Sequence, residues 1–254
     1  MKVSNVYDII ETLSNVKINN IRYDSPYYFL GDSVPRVTAI LSNMIHDDYL
    51  LGWANNLGWK HKSHKKESEI AAMIGTHTHT AIEEFLKTGS RKYFKTIDTC
   101  LVSYKSVNAF NSFLKYWDMI NSNNNVDILG SEIELICPYF GGTCDALLRI
   151  NDKTYVYDFK TSNHVSYKYI LQLVAYKYIL ENYCYIPIDG ICILQLSKDC
   201  DDWYWEYILH DESPMDKDLM DKALEFFFTL VQGYMYRMYY EEEYSYAKRK
   251  KQWN

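Results

Sequence analysis

The sequence lacks any pair of cysteines at the C-x-x-C spacing, although it contains six cysteines. They stand singly along the chain, at positions 100, 137, 144, 184, 192 and 200. Cysteines without paired spacing are typical of reduced thiols. We therefore expect an intracellular protein rather than a disulfide-bonded, secreted one.

An excess of basic residues is absent as well. Lysine and arginine together number 27 against 33 acidic residues, which gives a formal net charge of -6 and a pI near 5.7. This balance argues against a protein that coats nucleic acid through bulk positive charge. It leaves open an enzyme that acts on nucleic acid, because clustered carboxylates bind cations and a local basic rim can hold phosphates.

No segment of the sequence is apolar enough to span a membrane. Residues 1–15 contain Lys2 as their only basic residue, beside Asp8 and Glu11, which fits neither a signal peptide nor a mitochondrial transit peptide. Glycine (10) and proline (5) are scarce, while hydrophobic residues make up 48% and charged residues 24%. The composition is that of a soluble globular protein, and with no repeat or linker we expect one domain over residues 1–254.

Two carboxylates and a lysine fall where a single β-hairpin would bring them together. Residues 143–150 and 154–160 both have the composition of short strands, and Asn151-Asp152 between them tolerates the positive φ of a two-residue turn. That turn places Asp145 opposite Asp158, and alternation puts Lys160 on the same face as Asp158. A turn shifted to Asp152-Lys153 would pair Asp145 with Lys160 and keep the same face.

An ordinary surface ion pair beside a half-exposed strand is the alternative interpretation of Asp158 and Lys160. The flanking residues Ile150, Val156 and Phe159 favour buried strands instead. Because buried carboxylates require partners or a metal ion, these strands predict a cation site with an ammonium group beside it.

The sequence G-G-T-C-D at 141–145, followed after about a dozen residues by D-F-K-T-S at 158–162, resembles the core of the PD-(D/E)XK nucleases, and more narrowly their RecB-like branch. The resemblance implies an α/β (α+β) fold with a restriction-endonuclease-like core, in which a mixed β-sheet is flanked by helices in the order αβββαβ. We expect this catalytic core at about 67–209, an N-terminal helical and aromatic cover at about 1–66, and a C-terminal helix and basic tail at 214–254.

A long helix is predicted over residues 67–87, and its G-T-x-x-H-x-x-x-E segment resembles one of the RecB-like family. In that family the histidine is a metal ligand or active-site residue, which implies this role for His79. A capped core histidine is the alternative. A zinc site could also be formed in principle by the nearby histidines, but their spacing is unfamiliar; these are His61, His64, His77 and His79.

Two further motifs extend the resemblance. A glutamate on the strand before the G-x-x-D strand assists the site in the family, and Glu132 on the strand predicted at 126–138 matches best, with Glu134 as the second choice. A solvated edge strand is the alternative. Gln172 and Tyr176 resemble the Q-x-x-x-Y motif, whose two residues share one helix face directed at the metal site. Their alternative roles are a surface glutamine and a packing tyrosine.

The remaining patterns predict helices and strands around this core. The expected helices lie at 5–14, 104–120, 166–182 and 215–240, with another opening within 34–41, and the expected further strands at 188–196 and 203–209. The helix at 104–120 should direct four apolar residues inwards, namely Val107, Phe110, Leu114 and Trp117. The segment at 34–41 also resembles the P-S-V-T-T-I-L segment of RecB-like exonucleases, with Arg36 in place of the serine.

The resemblance implies a metal-dependent DNA exonuclease that acts on single-stranded or frayed ends. Mg²⁺ or Mn²⁺ would be bound by Asp145, Asp158, His79 and the Phe159 carbonyl, with Lys160 orienting or deprotonating water. The cysteine spacing does not match the iron–sulfur cluster of some relatives, so we expect no cluster. An endonuclease on the same fold and a catalytically silent nucleic-acid-binding subunit are the alternatives.

Stacking and charge outside the core provide candidate DNA contacts. Aromatic residues of the N-terminal cover could stack on bases; these are Tyr23, Tyr27, Tyr28, Trp53 and Trp59. A solvated helix start or a phosphate-contacting rim would explain the basic segment that contains Lys60, Lys62, Lys65 and Lys66. The basic residues 248–251 form a tail for which solvation is the alternative to phosphate contact.

Overall fold

The computed structural model describes residues 23–46, 48–92, 101–200 and 204–252, and the helix predicted at 5–14 lies outside them. The mixed α/β class expected from the sequence is confirmed. The helices are α1 (Val37–Met44), α2 (Asp48–Trp59), α3 (His64–Thr88), α4 (Leu101–Asn123), α5 (Tyr167–Asn182) and α6 (Pro214–Gln252). A small hairpin of β1 (Tyr28–Phe29) and β2 (Asp32–Ser33) precedes α1.

A five-stranded mixed sheet lies at the centre of the described structure. Its strands stand in chain order, with β5 and β6 parallel and the other neighbours antiparallel. Helix α5 forms the crossover that a parallel pair requires. The strands are β3 (Val126–Ile136), β4 (Gly141–Ile150), β5 (Lys153–Lys160), β6 (Gly190–Leu196) and β7 (Tyr204–His210).

The β4–β5 hairpin has the predicted register. Ile150 pairs with Lys153 and Ala146 with Tyr157, so the turn consists of Asn151 and Asp152. These two residues have φ values of 49° and 69°. Two consecutive positive φ values define the turn type that matches the right-handed twist of a hairpin. The shifted turn at Asp152-Lys153 is therefore excluded.

Each face of the sheet carries its own hydrophobic core. Helices α1, α5 and α6 cover one face, where Val156, Ile191 and Ile193 are buried against them. Helices α3 and α4 cover the other face, against residues such as Tyr157 and Phe159. Residues 156, 157 and 159 of one strand thus serve two cores, as the alternation of side chains requires.

Two predictions about helices need correction. The inward face of α4 contains Phe110 as predicted, and Leu114 and Trp117 pack partly buried against the same core, but Phe113 and Tyr116 are buried there as well and Val107 is not part of it. Two serines help to set this face, since the Ser106 hydroxyl donates to the carbonyls of Val102 and Ile74, and the Ser112 hydroxyl donates to that of Ser197. Helix α6 does not end near residue 240 but continues to residue 252, so the predicted basic tail is helical.

The ends of α3 explain why this helix forms where it does. The Ser63 side chain caps its first turn by accepting a hydrogen bond from the Lys66 amide, and Gly89 ends it in the left-handed conformation with φ 71°. Ile74, Ala81 and Phe85 are buried along it as the sequence pattern predicts. In the part of the chain that the structure describes, no helix combines the length and the apolar character needed to cross a membrane.

We expect Gly142→Ala to destabilise the protein, because a Cβ there would lie 2.5 Å from Cε1 and 2.6 Å from Oη of Tyr176. Overpacking of this kind costs about 1–3 kcal/mol. Gly52→Ala in α2 is the matched control: its Cβ meets nothing within 4 Å and should add up to about 1 kcal/mol of helix stability. Urea unfolding of both variants measures the difference, and equal free energies of unfolding would contradict the packing of Tyr176 on Gly142.

Candidate metal centre

The β4–β5 pairing ends where the site begins. The last paired residues are Ala146 and Tyr157, and beyond them the Asp145 carboxylate accepts a hydrogen bond from the Phe159 amide through Oδ2, at 2.6 Å. A side chain thus replaces the carbonyl that a regular ladder would supply to this amide. The bond fixes the Asp145 carboxylate between the two strands and leaves its Oδ1 for another partner.

Two further side chains, His79 and Glu132, approach that free oxygen from two other elements. His79 of α3 brings Nδ1 to 3.4 Å from Asp145 Oδ1 and 3.9 Å from Glu132 Oε1. One nitrogen or oxygen from each of these residues lies within 4.8 Å of the others, a spacing that could hold a metal ion. Glu132 reaches this position from β3 with a φ of 50°, a conformation that is costly for a residue other than glycine.

Asp158 lies beside this group with its two oxygens in different states. Oδ1 accepts a hydrogen bond from Lys160 Nζ at 2.7 Å and another from Gln172 Nε2 at 3.2 Å. Oδ2 is buried and has no hydrogen-bond partner. Since a buried carboxylate oxygen without a partner is strongly destabilising, this atom is well suited to binding a cation.

Helix α5 supplies the opposite wall. Gln172 Nε2 lies 3.3 Å from Tyr176 Oη while it also donates to Asp158, so the two motif residues act together. The Tyr176 ring packs over Gly142, which has no side chain in its way. Gln172 and Tyr176 therefore share one helix face, from which Gln172 contacts Asp158.

The charges of the cluster shift one another's pKa values. Burial alone lowers the pKa of His79, but attraction by Asp145 and hydrogen bonds to Asp145 and Glu132 outweigh it and raise this pKa to about 10. Burial acts to raise the pKa of Asp145, yet His79 and Lys160 bring it below its ordinary value.

For Asp158 and Lys160 of β5, burial and the neighbouring charges also have opposite effects on the pKa. Burial raises the pKa of Asp158 to about 6, against the opposing attraction of Lys160. Burial lowers the pKa of Lys160, but Asp158 and Asp145 outweigh this and hold it above its ordinary value. In the absence of a cation, the site therefore combines a charged His79 and Lys160 with a carboxylate that is only partly ionised near pH 6.

The donor set matches a hard divalent cation. One imidazole nitrogen and several carboxylate oxygens are ligands that suit Mg²⁺ or Mn²⁺, whereas a structural zinc site normally contains thiolates or more histidines. The unpartnered Asp158 Oδ2 is the observation that ion pairing within the protein alone does not explain. His61, His64 and His77 are not members of the cluster that contains His79.

Most of the predicted site residues meet here, and the role of one is revised. His79, Glu132 and Asp145 form the cluster that could hold a metal ion, and Asp158, expected as a ligand, is not a member of it. Asp158 instead forms a hydrogen-bonded group with Lys160, Gln172 and Tyr176, which interacts electrostatically with Asp145 and His79. Glu132 was expected to assist the site, but its distance to His79 makes it a candidate ligand. Glu134, the second choice, is exposed and lies outside the cluster, while the Phe159 side chain belongs to the core, so that only its backbone could take part.

Sequence reasoning missed Tyr169. Lys160 Nζ lies 4.8 Å from the centre of the Tyr169 ring. The sequence contains a signal for this contact, because Tyr169 precedes Gln172 by three residues and therefore shares its helix face.

Two of the expected stacking aromatics have other roles. Tyr27 is buried and its hydroxyl is bonded to Thr143 Oγ1 at 2.8 Å, while Tyr23 stacks on Tyr234. Tyr28 and Trp59 are exposed and stay candidates, and Trp53 is partly buried. The four lysines of the predicted rim are exposed at and before the start of α3, with Lys62 paired to Glu67.

Comparison with models of known protein families finds no match for this chain, and comparison with curated proteins also finds none. Among solved structures the chain is similar to one described as "Crystal structure of SSO0001". The two chains are 15% identical, and the alignment covers 87% of this chain and 82% of that chain with a TM-score of 0.31. A likeness of this size supports no inference about the fold or the activity.

The affinity for Mn²⁺ should rise with pH. Because His79 has a pKa of about 10, it is protonated at neutral pH, and an ion that uses its Nδ1 must displace that proton. We expect the apparent affinity to increase by about tenfold per pH unit between pH 6.5 and 8. Isothermal titration of the protein with Mn²⁺ alone measures this slope, and His79→Gln is the control, in which it should flatten. An equal slope in both proteins would remove His79 from the ligand set.

Asp158 should make the metal-free protein more stable as the pH falls. Its folded pKa of about 6 exceeds its ordinary value of 3.8, so the folded state binds the proton more tightly between these values. The thermal midpoint of the wild type, measured in EDTA, should therefore rise relative to that of Asp158→Asn between pH 7 and pH 5. The full effect is at most about 3 kcal/mol. A difference that is independent of pH would show that Asp158 is ionised throughout.

Proposed function

We propose that this chain is a metal-dependent nuclease that hydrolyses phosphodiester bonds in DNA, on a restriction-endonuclease-like core. The single observation that carries the proposal is the convergence of His79, Glu132 and Asp145 beside a buried Asp158 that is bonded to Lys160. From α4 to β6 a helix, three strands, a helix and a strand follow one another, which is the order that the resemblance to RecB-like nucleases implies, and α3 precedes this series.

Mg²⁺ or Mn²⁺ would be held by His79, Glu132 and Asp145, with Oδ2 of Asp158 as a further oxygen. A divalent ion in such a site supplies Lewis-acid stabilisation of the phosphoryl oxygens and lowers the pKa of water. Asp145 is oriented for this role by the Phe159 amide, and Asp158 by Lys160 and Gln172. These bonds fix both carboxylates before an ion arrives, which reduces the reorganisation that binding requires.

Lys160 would contribute a positive charge to the reacting phosphate. Its ammonium is held 2.7 Å from Asp158 Oδ1, and its side chain is only 18% exposed. Charge placed in advance within a poorly solvated site stabilises the negative charge that develops during hydrolysis. Orienting or deprotonating the attacking water is the second role for this amine.

DNA ends are the proposed substrate. The support comes from the resemblance of Pro35, Val37 and Thr38 to the segment of RecB-like exonucleases. Two exposed aromatic residues, Tyr28 and Trp59, provide candidate surfaces for base stacking, which tolerates any sequence. An endonuclease with the same site would use the same groups and differ only in how the DNA reaches them.

Cleavage of single-stranded DNA in Mg²⁺ tests the activity and the need for an end. We expect linear strands to be degraded and covalently closed circles of the same sequence to survive. Asp145→Asn and Lys160→Met should each lower kcat by about 100-fold or more, since each removes a charge from the reacting site. Lys153→Met is the matched control on the same strand, because this lysine lies at its far end and pairs with Glu212.

The possible outcomes separate the three functions. Equal rates of cleavage of linear and circular strands would show that no DNA end is needed, and would favour an endonuclease over an exonuclease. Mn²⁺ binding without hydrolysis of any DNA would favour a silent nucleic-acid-binding subunit. Unchanged turnover after Asp145→Asn would contradict the site itself.

A further inference from the structure

Tyr169 lies on the face of α5 that is directed at the candidate site. It stands three residues before Gln172 and seven before Tyr176, and residues at these spacings share one side of a helix. Gln172 contacts the carboxylate of Asp158 and the hydroxyl of Tyr176. Tyr176 packs on Gly142 at the start of β4. Tyr169 extends the same row by one turn, towards the end of β5.

The ring of Tyr169 covers the ammonium of Lys160. Nζ lies 4.8 Å from the ring centre, within the range of a cation–π contact, and 2.7 Å from Asp158 Oδ1. The amine is thus held between an aromatic face and a carboxylate. A lysine has a long and flexible stem, so two contacts on one ammonium restrict it far more than either alone.

The ring itself is fixed by the loop that follows β5. Tyr169 Oη donates to Ser162 Oγ at 3.2 Å, and the same Ser162 hydroxyl donates to the carbonyl of His164 at 2.9 Å. Gln195 of β6 holds the Ser162 carbonyl at 2.6 Å, and Lys198 holds the adjoining Thr161 carbonyl at 2.8 Å. The segment that follows Lys160 is therefore hydrogen-bonded to both α5 and β6.

We propose that Tyr169 is a positioning residue, which holds the Lys160 ammonium in register with the reacting phosphate. The inference rests on the proposed function, since it assigns to the ring an effect on hydrolysis. Tyr169 acts through Lys160 and does not itself touch the substrate. The ring, which bears the cation–π contact, carries most of the effect, and the hydroxyl carries less because Gln195 and Lys198 hold the loop independently.

Kinetics of three variants separate positioning from general stability. Tyr169→Leu should lower kcat about 3- to 30-fold, the range of a cation–π contact, with KM changed less than about twofold. Tyr169→Phe keeps the ring and should restore kcat to within about threefold of the wild type. Tyr183→Leu is the matched control: Tyr183 follows the other end of α5 and is also partly buried at the edge of the same core. It should lose stability without losing kcat.

Acylation of lysines, read by peptide mass spectrometry, tests the contact in the absence of any activity. Lys160 should react several-fold faster in Tyr169→Leu than in the wild type or in Tyr169→Phe, while the buried Lys177 near the far end of the helix serves as internal reference. Equal reactivity of Lys160 in all three proteins would overturn the positioning role, whether or not the chain cleaves DNA. If Lys160 is acylated faster in Tyr169→Leu but no protein hydrolyses DNA, the contact between Tyr169 and Lys160 is supported and the proposed nuclease activity is refuted.

Discussion

The enclosure of Asp158 is the constraint on which the rest of the site depends. Its carboxylate is almost wholly buried, and one of its oxygens has no partner. Folding must offset the loss of hydration of this group. Lys160 and Gln172 offset part of it through the other oxygen. A bound cation would offset the remainder, so the same atom that weakens the empty site would strengthen the binding of an ion.

The sheet brings the groups together because its strands separate at one point. Beyond Ala146 and Tyr157 the β4–β5 ladder gives way to the bond between the Asp145 carboxylate and the Phe159 amide. His79 of α3, which packs on one face of the sheet, contacts Asp145 at this point. Glu132 completes the group from β3 in a conformation with positive φ. Strain and an incomplete ladder therefore coincide at the candidate site, as is common where structure serves chemistry.

The hairpin and its charged residues could be predicted from the sequence, whereas the geometry that closes the site could not. Asn151 and Asp152 set the turn, and alternation then fixes the faces of Asp158 and Lys160. The positive φ of Glu132 and the register shift between Ile128 and Gly130 in the same strand have no such signal in the sequence. The inward face of α4 also includes buried serines, because their hydroxyls donate to backbone carbonyls. The periodicity of apolar residues does not reveal such contacts.

The two helices of the site depend on different cores, and this separates their contributions. Helix α3 carries His79 and is packed through Ala81, Ile82 and Phe85 on one face of the sheet. Helix α5 carries Gln172 and Tyr169 on the other face. A substitution in the core under α3 should therefore move His79 before it moves Gln172 and Tyr169, and a substitution in the core under α5 should do the reverse. Asp145 and Asp158 lie in the strands between the two helices, so the register of one hairpin decides whether the cluster around His79 and the amine of Lys160 lie beside each other.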